Sequence, residues 1–89
     1  MRREVRDRAR LAELEPGGAA DRPLAVSTAS LVEPTARSLR CPLCDGALQL
    51  EEHAAERVAG VSLRVARTRC VRCGAPRAIW FRIAPALAN

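Results

Sequence analysis

Cys41-Pro42-Leu43-Cys44-Asp45-Gly46 and Cys70-Val71-Arg72-Cys73-Gly74 decide the fold of this chain. They hold all four cysteines of the 89 residues, as two C-x-x-C pairs with 25 residues between them, and a glycine follows each pair closely. Two cysteines three positions apart in a tight turn can bring both sulfurs to one metal at about 2.3 Å. Pro42 pre-sets φ inside the first turn and gives up no donor that is needed there. Gly46 and Gly74 are expected to supply the positive φ that turns backbone amides toward the thiolates. Two such knuckles on facing hairpins complete a tetrahedron. The spacing therefore reads as one structural Zn2+ held by Cys41, Cys44, Cys70 and Cys73. Four thiolates leave no position open for water, so the expected site is closed rather than catalytic.

Two rival chemistries compete for the same cysteines. Paired disulfides need an oxidising compartment, and no secretory signal is visible after Met1-Arg2-Arg3-Glu4. A disulfide within one C-x-x-C pair is a redox device more often than a staple, which keeps thiol chemistry open. Iron in a rubredoxin-like site uses a similar pattern, but one Trp, one Phe and no Tyr supply no aromatic shell. Reduced thiols without an export signal lead to a cytoplasmic expectation, and no apolar stretch approaches the roughly 20 residues of a membrane span.

Length and composition bound the remaining choices. A chain this short forms one small domain with a modest core and often needs a staple. The formal charge is +5, and every one of the 15 basic residues is arginine. A GC-rich coding sequence explains that bias without any function. A guanidinium-rich binding surface is the functional alternative.

Along the chain, residues 1–15 are dense in charge and place Val5, Ala9 and Ala12 on one helical face, with Leu11 and Leu14 flanking it. A short charged helix or arm is expected there, ending before Pro16-Gly17-Gly18. Residues 16–38 are rich in Pro, Gly, Ala, Ser and Thr and read as an irregular linker, with Leu24, Val26, Leu31 and Val32 as apolar exceptions. From residue 39 to 84 the pattern is knuckle, strand, strand, knuckle, strand. Leu48 and Leu50 alternate in the first strand, and Val61, Leu63 and Val65 alternate in the second. A two-residue turn at Ala59-Gly60 sets Val58 opposite Val61 and Glu52 opposite Arg67; a looser loop over 54–60 is the competing register. Residues 78–83 form the third strand, Pro85 ends it, and 85–89 are a tail.

This order resembles the zinc ribbon class. The resemblance covers Leu39 to Ile83 and rests on the two cysteine knuckles quoted above. It implies a small metal-stapled β fold with a three-stranded antiparallel sheet, here preceded by a short N-terminal helix and a linker, and it implies that Cys41, Cys44, Cys70 and Cys73 are the ligands. Ribbons serve in transcription factors, polymerase subunits, ribosomal proteins and many small bacterial proteins. The acidic dipeptide loop with which some ribbons reach into a polymerase has no counterpart here, so that activity does not carry over.

Outside the cysteines, the stretch from Val61 to Ile83 carries six arginines and no acid, whereas Glu51, Glu52 and Glu56 lie in the strand before it. Arg64, Arg69, Arg72, Arg77 and Arg82 are therefore candidates for a phosphate-contacting face. Ordinary solvated strand edges are the plainer reading. Ile79, Phe81 and Ile83 share one strand face and belong to the core, which leaves Trp80 on the other face as a stacking platform or as cover for the sheet. His53 reads as an exposed histidine, because the tetrahedron is already closed. No nucleophile–base grouping, phosphate loop or open metal position is present, so the chain is expected to be non-enzymatic. Three functions follow from the residues: nucleic-acid binding through the arginines, docking on a larger protein complex as an accessory subunit, and a thiol redox or zinc-responsive switch.

Overall fold

The residues between the two cysteine pairs fold as a hairpin whose turn is the expected one. In the computed structural model, which describes residues 3–84, the elements are α1 (Arg3–Leu14), β1 (Leu24–Val26), a 3-10 turn (Ala29–Leu31), α2 (Val32–Ser38), β2 (Leu48–Val58), β3 (Val61–Cys70) and β4 (Pro76–Ile83). Ala59 and Gly60 have φ of 51° and 80°, the left-handed pair that a two-residue hairpin turn requires. Val58 pairs with Val61 and Glu52 with Arg67. Pro85 and the tail 85–89 lie outside the described residues.

The sheet has four strands, not three, in the order β1-β4-β3-β2. The antiparallel β2–β3–β4 unit is the expected one. The fourth strand comes from the stretch read as a linker: Leu24, Ala25 and Val26 pair in parallel with Phe81, Arg82 and Ile83. Beyond β1 the chain forms the 3-10 turn and α2, which packs on β2 and β3. Residues 16–38 are thus part of the folded body, because their apolar minority has somewhere to go. Val32 and Ala36 are fully buried, and Leu39 packs on the same cluster, so the helical spacing i, i+4, i+7 is satisfied. Pro34 is tolerated because it sits in the first turn of α2, where its missing N–H leaves no helical bond unmade.

The core lies on the α2 side of the sheet. Val26, Leu48, Ala66, Cys70, Ile79 and Phe81 meet Val32 and Ala36 there. Alternation assigns the other face to Val65, Arg67 and Arg69 of β3 and to Ala78, Trp80 and Arg82 of β4. A bulge at Glu51 shifts the phase of β2, since Leu50 pairs with Thr68 and Glu52 with Arg67. Before the bulge, Leu48 and Leu50 face the core; after it, His53 does. His53 is therefore not exposed: its side chain retains 15% of its accessible surface, and its Nδ1 lies 3.0 Å from Glu33 Oε2 of α2. Nδ1 carries the hydrogen that this carboxylate accepts.

Candidate metal centre

Each C-x-x-C pair closes the same backbone turn. The amide of Cys41 donates to the Gly46 carbonyl at 2.9 Å, and the amide of Asp45 donates to the Cys41 carbonyl at 2.8 Å. The second knuckle repeats this 29 residues later: Cys70 N–H to Ala75 O and Gly74 N–H to Cys70 O, both at 3.0 Å. Val71 N–H donates to Ala47 O at 3.0 Å and ties the two knuckles together.

The equivalent position in both turns is left-handed, and it falls on Asp45 (φ 63°) and Gly74 (φ 77°). Gly46 is not the positive-φ residue that the sequence suggests. Its role is close approach: a Cβ there would lie 2.7 Å from Cys70 Sγ and 2.8 Å from Arg72 Cβ. The first knuckle accepts aspartate in the left-handed position because its short polar side chain tolerates it, and Arg40 Nε donates to the Asp45 carbonyl at 3.0 Å.

The turns bring the four sulfurs within 4.8 Å of one another. Cys41 and Cys73 are 3.7 Å apart, and Cys44 and Cys70 are 3.4 Å apart. A tetrahedron with sulfur ligands at about 2.3 Å has edges of about 3.8 Å, and these two separations are compatible with thiolates around one ion. They are too long for disulfide bonds, and all four thiols are free. Backbone amides point inward as such a site needs: Leu43 N–H donates to Cys41 Sγ at 3.4 Å, and Arg72 and Cys73 donate to Cys70 Sγ at 3.3 and 3.4 Å. The Cys73 amide, with that of Arg72, brings the Cys70 thiol down to about 6. Burial pushes the Cys44 thiol up to about 12, and its hydrogen bond to Cys70 adds to this. A divalent cation held by the four sulfurs would keep all of them as thiolates. The four cysteines fit one metal ion, with every ligand position filled by protein.

The arginines and Trp80 do not converge. Arg64 and Arg77 alternate onto the α2 side of the sheet, whereas Arg69, Trp80 and Arg82 lie on the opposite side. Arg69 is engaged by Glu51 at 3.1 Å and by the Gly74 carbonyl at 2.9 Å. Arg67 bridges Glu52 at 3.1 Å and Glu56 at 3.2 Å. Arg72 sits on the exposed knuckle and donates to the Cys44 carbonyl at 3.4 Å. Trp80 is half-buried beside Val65, and its amide donates to Gly17 O at 2.8 Å.

Sequence reasoning missed the hollow beside the first knuckle. Arg8 Nη1 of α1 donates to the Leu43 carbonyl at 3.1 Å, and Ala12 is buried. This holds α1 against residues 41–43, with a cavity of about 640 Å³ on one side and one of about 240 Å³ on the other. The available signal was the off-stripe Leu11, which lines the larger hollow and remains 60% exposed. No protein-family model, curated protein or solved structure matches the chain. Among the described residues, no helix is long and apolar enough to cross a membrane.

Proposed function

We propose that this chain is a non-enzymatic zinc ribbon that acts by docking on a larger protein in the cytoplasm. The observation that carries the metal assignment is the four-sulfur cluster, with its inward amides and filled ligand set. All-thiolate tetrahedral sites favour zinc among the available divalent ions, and a closed set suits structure, not catalysis. Free thiols suit a reducing compartment. Docking is favoured over a nucleic-acid surface by the distribution of charge. The arginine-rich half divides its guanidinium groups between two faces and neutralises Arg67 and Arg69 with glutamates, while α1 presents uncovered leucines. Large exposed apolar side chains on a lightly held helix suit a protein partner.

Nucleic-acid contact is the second reading. Arg72 favours it, being exposed at the knuckle with no carboxylate partner among the described ion pairs. Capture from host extract, with and without nuclease, separates the two. Nuclease-resistant capture supports docking. Capture lost to nuclease, with an affinity whose log–log salt slope approaches −1 per phosphate contacted on duplex DNA, supports the second reading.

A further inference from the structure

The larger hollow beside α1 has the form of a binding groove. It is concave, and its volume of about 640 Å³ falls within the roughly 300–1,000 Å³ of ligand sites. One wall is the first knuckle, residues 39–45, whose shape is fixed by its internal hydrogen bonds. The other wall is α1, contributing Arg8, Leu11 and Glu15. Between them lies Arg77, held at its backbone by the buried Thr68 hydroxyl, which donates to the Arg77 carbonyl at 2.9 Å.

The charges in this hollow are unequally satisfied. Asp45 is taken by Arg40, whose Nε lies 3.9 Å from its carboxylate and donates to its carbonyl. Glu15 forms no ion pair among the described residues. Among the described residues, the acceptor of Arg8 is the Leu43 carbonyl. Arg77 lines the hollow and forms no ion pair among the described residues. A carboxylate answers the planar fork of a guanidinium best. Leu11, Leu39 and Leu43 supply apolar surface around it.

Resting on the docking function, we propose that this groove is the docking site and that it receives an acidic, apolar peptide segment of the partner. A carboxylate of that segment meets Arg77 and Arg8, and a neighbouring apolar side chain covers Leu11 and Leu43. The exposed Leu11, with the partly buried Leu39 and Leu43 beside it, explains why the occupant is amphipathic and not a bare phosphate.

The test uses full-length, metal-loaded protein and two short fluorescent peptides, one alternating glutamate with leucine and one alternating lysine with leucine. Anisotropy is expected to show binding of the glutamate peptide and none of the lysine peptide. Arg77→Met keeps the aliphatic stem and is expected to weaken binding at least tenfold, with Arg8→Gln adding to the loss. Arg82→Gln, at the far end of β4, is expected to change nothing. Metal content and amide exchange confirm that each variant is folded. Should Arg77→Met fail to fold, Arg8→Gln and Leu11→Ser on the exposed side of α1 carry the same test. Equal binding of both peptides, no binding, or loss-free variants would overturn the assignment. So would preferential binding of a single-stranded oligonucleotide that these variants abolish. If the Arg8→Gln/Arg77→Met protein still captures a nuclease-resistant partner as the parent does, docking stands and the groove is refuted. If the parent captures no such partner, the docking function itself fails.

Discussion

Gly46 and Gly74 follow their cysteine pairs in the same way on paper and do different work in the fold. Gly74 occupies the left-handed corner of its knuckle, with open space where a Cβ would go. Gly46 sits one position past the corresponding corner, against Cys70 Sγ. Gly74→Ala is expected to cost about 1–2 kcal/mol, the strain of an L-residue in that region. Gly46→Ala must push a ligand sulfur aside; overpacking of this kind costs about 1–3 kcal/mol and should weaken the metal site as well. Chelator competition reads the difference: Gly46→Ala releases metal more readily, and Gly74→Ala holds it as the parent does. Equal metal retention in the two variants would contradict these roles. The requirement for small residues after each pair was legible in the sequence. Which glycine needs φ and which needs space was not, because that depends on where the other knuckle lies.

At the scale of elements, the hairpin and its two-residue turn were readable because both signals are local: alternating apolar residues and a short Ala59-Gly60 connection. β1 was not, since three residues carry no periodicity and its partner lies more than 50 positions away in β4. α2 left a signal that its proline-rich context masked, the Val32, Ala36, Leu39 stripe. His53 was misplaced because a single extra residue at Glu51 turns the rest of β2 over. The burial of α2 has a measurable consequence. Val32→Ala removes two methyl-sized groups from a fully buried site and is expected to destabilise the fold by about 2 kcal/mol, lowering the denaturant midpoint. A change within a few tenths of a kcal/mol would return residues 16–38 to the status of a linker.

The whole molecule is a four-stranded sheet covered on one face by a seven-residue helix and closed at one end by the cysteine cluster. So small a core would leave a large share of stability to a metal held by the four cysteines, since structural zinc binding contributes on the order of 10 kcal/mol or more in zinc-finger peptides. That stability has a pH sign. Cys70 lies below its ordinary thiol value of 9.0, so its contribution is present above that value and is lost as pH falls through about 6. A bound cation lowers a coordinating thiol further. Metal release, followed with a chromogenic chelator, is therefore expected below about pH 6, with unfolding accompanying it; release at neutral pH would contradict the site's electrostatics. The most direct measurement is native mass spectrometry of the purified full-length protein, paired with amide exchange before and after chelation. The account predicts one zinc per chain at neutral pH and, once it is removed, joint loss of protection across β2, β3 and β4. A protein that keeps its sheet with four free thiols and no metal would contradict it.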